Sequence, residues 1–177
     1  MGRSSANLLV FLVCLLAAAV GMAKEIKKMK ELAVTSPAFT DGGSIPVRYT
    51  CDGPDISPPL ALAAIPSGTR SLALIVDDPD APSGTWVHWV MWNISADTRD
   101  IKEGQIPSGA MQGQNDWKRN SYNGPCPPSG THRYLFKIFA LDTTLDLPPS
   151  TTKTSLERAM HGHIIAQGLI TGKFRRR

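Results

Sequence analysis

Two short segments carry side chains that could do chemistry together. The first is Asp77-Asp78-Pro79-Asp80-Ala81-Pro82, running into Trp86-Val87-His88-Trp89. The second is Gly130-Thr131-His132-Arg133-Tyr134. Alternate side chains of a strand share a face, so Trp86 joins His88, and His132 joins Tyr134. If the two strands pair or lie side by side, one small cavity receives two imidazoles, a carboxylate, a phenol and an indole. Imidazolium and phenol groups are hydrogen-bond donors suited to an oxyanion. A nearby Asp is expected to raise the histidines' pKa and keep them charged. Each part also has a plainer account. Asp78 and Asp80 beside prolines are common turn residues that bond their own backbone. Arg133, of opposite parity to His132, reads as a structural ion-pair partner. The case for a site rests on both segments occurring together.

The elements that must position these residues read as strands. The chain has 177 residues, 42% hydrophobic, with a net charge of +4. That is too apolar and too weakly charged for a disordered chain. All 14 prolines follow residue 36, which disfavours a helix bundle. Residues 31–39 and 45–50 look like two strands around the turn Asp41-Gly42-Gly43-Ser44. Ser71 to Val76 places Leu72, Leu74 and Val76 on one face. Trp86 to Ile94 is apolar on both faces, the mark of a strand buried between layers. His132 to Leu141 is the clearest strand, with Tyr134, Phe136 and Ile138 on one face. Residues 97–131 form a long, weakly patterned loop with few apolar anchors, of the kind that is functional or mobile. One helix is expected late in the chain. Thr154-x-x-Glu157 reads as its capping box, Leu156, Ala159 and Met160 as its apolar stripe, and Gly162 as its terminating glycine. The fold class is mainly β: two packed antiparallel sheets with one short late helix.

The first segment reads as a targeting signal. Arg3 precedes an apolar run from Leu8 to Val20, and Gly21-Met22-Ala23 follows. The run is short of a membrane span. Residues 1–23 are therefore assigned as a signal peptide cleaved after Ala23, and 24–177 as a single domain exported to the periplasm or secreted. Lys24, Lys27, Lys28 and Lys30 disfavour translocation, which leaves an N-terminal membrane anchor as the alternative. Val13 before Cys14 argues against a lipoprotein. Cleavage removes Cys14 and leaves Cys51 and Cys126. In an oxidising compartment this even count suggests a disulfide, closing a loop of about 75 residues and worth roughly 4 kcal/mol. Two buried free thiols are the other reading.

These segments in order resemble the phosphatidylethanolamine-binding protein family. Asp78-Pro79-Asp80-Ala81-Pro82, Trp86-x-His88 and Gly130-x-His132-Arg133-Tyr134 look like its signature segments. Gly124-Pro125-Cys126-Pro127-Pro128 and His161-Gly162-His163-Ile164 are similar to its bacterial YbhB/YbcL branch, also called Raf kinase inhibitor-like. The similarity spans roughly residues 32–174. It implies a Greek-key arrangement of the two sheets and a small anion pocket lined by Asp78, Trp86, His88, His132 and Tyr134. It also implies that Pro82 follows a cis peptide, so that Asp80 and Pro82 form a rigid turn aimed at the pocket. Family ligands are phosphate-like groups. Kinase inhibition is not carried over, because this chain bears a leader and lacks the C-terminal helix of the animal members.

The expected function is non-catalytic binding of a small phosphorylated or carboxylated ligand, with no cofactor. A protein partner contacting the 97–131 loop is the runner-up. An enzyme reading has little support: no Gly-x-Ser-x-Gly, P-loop or dinucleotide fingerprint occurs. A hydrolase using Asp78 and His132 as acid and base is the form it would take. A metal held by His161 and His163 with His88 or His132 is a weaker alternative. No basic stripe interleaved with aromatics occurs, so nucleic acid is not an expected partner. His88→Ala or His132→Ala is expected to weaken ligand binding with little loss of folding.

Overall fold

A computed structural model describes residues 30–176. The segment assigned as a leader, and its cleavage site, lie outside the described residues. The strands are β1 (Lys30–Glu31), β2 (Ala33–Thr35), β3 (Leu60–Ala63), β4 (Ser71–Asp78), β5 (Trp86–Ser95), β6 (Asp100–Ile101), β7 (Met111–Gln112), β8 (Thr131–Leu141) and β9 (Ile164–Arg175). Helix α1 (Lys153–Met160) lies between β8 and β9. The larger sheet has the order β1-β9-β8-β4-β5-β7, and the smaller one β2-β3-β6. All pairs are antiparallel except β1 with β9. Strands β4, β5 and β7 follow one another across the sheet, and β8 then returns beside β4. That is the Greek-key order expected.

The two central strands are buried on both faces, for two different reasons. Leu72, Leu74, Val76, Trp89 and Met91 pack with Leu60, Leu62 and Ile101 between the sheets. Ala73, Ile75, Val90 and Trp92 pack on the opposite face under Leu156 and Met160 of α1. The molecule is thus small sheet, large sheet, helix. The doubly apolar pattern of β5 follows from lying in the middle layer.

Several local expectations need correction. Residues 31–39 do not form one strand. Leu32, buried to 1% exposure, is the point where the chain leaves the larger sheet and joins the smaller. Residues 45–50 are not a strand, because Val47–Tyr49 form a 3-10 turn after Pro46. Proline has no N–H to give a ladder, and its φ of −60° starts a helical turn readily. Helix α1 is capped by Thr152, whose side chain accepts from the Ser155 N–H, and not by Thr154. Glu157 accordingly lies one turn along and faces Lys153 at 3.9 Å. Gly162 does follow the helix, with a φ of +84° that a glycine adopts without strain.

Candidate functional site

Strand β4 ends on two aspartates that point to opposite faces. Asp77 is fully buried on the helix side, where Lys137 (2.8 Å) and Lys153 (2.5 Å) meet its Oδ2. Asp78 faces the other way, towards the head of β8. Its Oδ1 accepts from the Asp80 N–H at 2.8 Å, closing a tight acidic turn. Its Oδ2 accepts from His132 Nδ1 at 2.7 Å. The turn is held from outside by Arg133. That guanidinium donates to both oxygens of Asp80 at 2.9 and 2.7 Å, and the Arg133 backbone N–H donates as well. These bonds pull the Asp80 carboxyl down to about 2. Arg133 is therefore the structural partner its parity suggested. No cis peptide occurs among the described residues, so the bond before Pro82 is trans. The turn owes its shape to Asp78, Asp80 and Arg133, and the expected cis proline is not part of it.

Strand β5 brings in His88 through a β-bulge. Val76 pairs with Trp89 and Asp77 with Val87, which leaves His88 as the extra residue. A bulge re-aims a side chain and bends its strand. Here it turns the His88 ring into a pocket of about 180 Å³ at the end of the sheet. His88 Nδ1 lies 2.6 Å from the Asn123 carbonyl oxygen, which can only accept, so Nδ1 carries the proton. Burial lowers the His88 pKa, outweighing the Asn123 carbonyl and the charges of Asp78 and Asp55. This corrects the expectation of a charged His88. Desolvation is the larger effect where the ring is only 2% exposed and no carboxylate touches it.

The other walls come from β8 and the 113–128 segment. Tyr134 is fully buried and meets His88 edge-on, with ring centroids 5.2 Å apart. Burial and the nearby Asp78 raise its pKa, so the phenol keeps its proton. Among the described residues no well-formed hydrogen bond reaches its Oη, with Asp78 and the Cys126 backbone nearby, and none reaches the buried Nε1 of Trp86. Trp117 packs edge-on against both Trp86 (5.4 Å) and His88 (5.0 Å). Its place is set by Asn115, 1% exposed, whose Oδ1 accepts from the Trp117 and Arg119 N–H groups. The Asn115 amide also donates to the carbonyls of His88 and Ser121 and to Asn123 Oδ1. Cys126 forms the far wall and is bonded to Cys51, with Cα atoms 5.4 Å apart. Gly124 lets this segment press on its neighbour. A Cβ there would lie 2.3 Å from the Tyr49 carbonyl oxygen. Among the described residues no Lys or Arg lines the pocket.

The sequence profile of the phosphatidylethanolamine-binding protein family matches residues 35–175. The chain belongs to this family. A UPF0098 protein of Methanothermobacter thermautotrophicus is 51% identical over 144 residues, covering 78% of this chain and 95% of that protein. A Mycobacterium tuberculosis protein whose name marks it as a candidate lipoprotein, LppC, is 39% identical over 145 residues, covering 81% and 72%. The crystal structure of the family homologue CT736 from Chlamydia trachomatis superposes with a TM-score of 0.80 at 40% identity, covering 83% of this chain and 99% of that one. The crystal structure of Escherichia coli YbcL, described as a new member of the mammalian PEBP family, gives 0.79 at 30% identity, covering 84% and 100%. The YbhB/YbcL branch is consistent with these matches.

Of the five family-pocket positions named from the sequence, Asp78, Trp86 and His88 line the cavity directly. His132 stands behind Asp78 and holds it, while Tyr134 stands behind His88. The His132–Asp78 pair is buried, with side chains 9% and 5% exposed. His132→Ala would strand a buried carboxylate, so the expectation of little folding loss is withdrawn for that variant. His161 and His163 lie far from this pocket. His163 Nδ1 meets Asp142 at 2.8 Å beyond the opposite end of β8. Among the described residues no cluster of three or more His, Cys, Asp or Glu side chains could hold a metal. The 97–131 segment is better anchored than expected. It contains β6, β7, the Asn115 hub and the disulfide. Trp117, which lines the pocket, and Asn115, which positions it, are the residues that sequence reasoning missed. The available signal was a large aromatic in a polar segment, preceded two residues earlier by a turn-forming Asn.

Proposed function

We propose that the pocket binds a small oxyanion, of phosphoryl or carboxylate type, without transforming it. The observation that carries this reading is a pair of donors without acceptors. Among the described residues Trp86 Nε1 is buried and unpartnered in the pocket wall, and Tyr134 Oη is buried without a hydrogen bond behind His88. A buried donor left unpaired costs about 1–3 kcal/mol, and a ligand oxygen would recover part of that. At about 180 Å³ the cavity is smaller than the roughly 300–1,000 Å³ of drug-sized sites, which suits a compact head group. Asp78 does not oppose an anion strongly, because His132 and the turn already occupy its oxygens. Export is part of the proposal. The leader pattern, the Cys51–Cys126 disulfide and a relative with a lipoprotein name all support it. The mass of the protein recovered from the periplasmic or secreted fraction tests it, since cleavage after Ala23 leaves 177 − 23 = 154 residues.

Calorimetry with phosphorylethanolamine tests the pocket. Trp86→Phe keeps the aromatic wall and removes the donor, so it should weaken binding about tenfold. Equal affinity in Trp86→Phe and the parent would exclude the indole as a ligand contact. A second reading, a protein partner on the 97–131 segment, is favoured by Ile106, Met111 and Trp117. These expose 41%, 40% and 38% of their surfaces on that one segment.

A further inference from the structure

Resting on the oxyanion reading, the ring nitrogens of His88 narrow the ligand class. Nδ1 is committed as a donor to the Asn123 carbonyl at 2.6 Å. The ring lines the pocket, and among the described residues Nε2 has no partner. With its one proton on Nδ1, a neutral imidazole presents a lone pair at Nε2. A bare oxyanion placed against that lone pair is repelled. A ligand oxygen that still carries a hydrogen can donate to it instead. We infer that the pocket selects phosphate monoesters in their protonated, singly charged form over phosphodiesters, with His88 Nε2 accepting the ligand's O–H.

The surroundings of His88 support this assignment from every side. From β4, Asp78 is the nearest carboxylate, but its oxygens serve His132 and the Asp80 N–H. From the 51–57 loop, Asp55 spends Oδ1 on the Gly124 N–H. From β8, Tyr134 packs edge-on and keeps its proton. From the 113–124 segment come Trp117, which is uncharged, and the Asn123 and Gly124 backbone. No group here forces a second proton onto the ring, and burial disfavours one. Two kinds of group then share the oxyanion. Trp86 Nε1 is the donor to its unprotonated oxygens, and His88 Nε2 is the acceptor for the protonated one. A phosphomonoester, whose second pKa is about 6, can supply that O–H near neutrality. A phosphodiester has no such hydrogen, so an intact diester lipid head is disfavoured against a free monoester.

The probes are methyl phosphate and dimethyl phosphate, titrated calorimetrically into the protein at about pH 6 and about pH 8. Each titration is run in two buffers of different ionisation heat. Methyl phosphate should bind at least about tenfold tighter than dimethyl phosphate at the lower pH, and weaken about tenfold per pH unit above about 7. At the higher pH its binding should take up close to one proton. His88→Gln supplies an amide that can donate without gaining a proton, so it should flatten the pH profile and bring the two esters together. Equal affinities for both esters in the parent protein, with a flat pH profile, would overturn the inference while leaving the oxyanion pocket standing. No binding of either ester at any pH would remove the pocket's function and this inference with it. The parent's data alone decide the matter should His88→Gln fail to fold.

Discussion

Tyr134→Phe should make the free protein more stable and the ligand weaker. The hydroxyl is fully buried, and among the described residues no well-formed hydrogen bond reaches it, with only Asp78 and the Cys126 backbone nearby, so the folded state recovers little of its desolvation cost. Such a group costs about 1–3 kcal/mol, and phenylalanine keeps the ring that packs on His88 while removing it. Part of the gain is lost to the small void left behind. A net stabilisation of up to about 1 kcal/mol is expected, or about 2–4 °C in Tm for a domain of this size. Binding should move the other way. A hydrogen bond to a charged partner is worth about 1.5–3 kcal/mol, so the dissociation constant for phosphorylethanolamine should rise about 10- to 100-fold. Urea denaturation and calorimetry on the same preparation read both quantities. A loss of stability above about 1 kcal/mol would show that the hydroxyl has a partner in the free protein. Unchanged affinity would show that the ligand does not reach it. Either result refutes the idea that this donor is held in reserve for a ligand.

The remaining predictions concern what holds the pocket in shape. His132→Ala should destabilise by about 3–5 kcal/mol, because it strands the buried Asp78 carboxylate, whereas His132→Ala with Asp78→Ala should cost less than the two single changes summed; urea denaturation of all three variants checks this. Replacing Cys51 and Cys126 by serine should cost up to about 4 kcal/mol from the 75-residue separation and loosen the pocket wall, read as a lower denaturation midpoint and weaker phosphorylethanolamine binding. Stability should also depend on pH at two places. The His88 pKa is lowered on folding, so the unfolded chain binds more protons as pH falls below about 6.5, and the stability present above that pH declines as the folded pKa is passed. Asp80, held at about 2, contributes stability present above about 4 and lost as pH falls through about 2. Denaturation midpoints across this range should lose the upper dependence in His88→Gln and the lower one in Arg133→Ala.

Much of the larger sheet was legible because its strands have strong periods. β8 alternates cleanly, and the doubly apolar β5 correctly signalled a middle layer. The ends of the chain's first third were not legible. Leu32 and Pro46 redirect the backbone through contacts with β9 and through proline geometry, and no short pattern encodes either. The site was half legible. Trp86, His88, His132 and Tyr134 were found by parity, but parity assumes a regular strand. The bulge at His88 breaks that assumption, although the ring still lines the pocket. The charge of His88 was misread, because a nearby Asp is visible in sequence and burial is not. Trp117 was missed because Asn115 positions it through bonds among residues 88 to 123, which only the folded loop brings together.

The most direct test of the pocket is an NMR titration with phosphorylethanolamine, with sulfate and chloride as controls. The histidine rings and the indole N–H groups report the site. Saturable shifts should appear at His88, Trp86 and Trp117, with smaller ones at His132 behind Asp78, and none at His161 or His163. Absence of shifts at millimolar ligand, or equal shifts at His161 and His163, would contradict a pocket built from the ends of β4, β5 and β8.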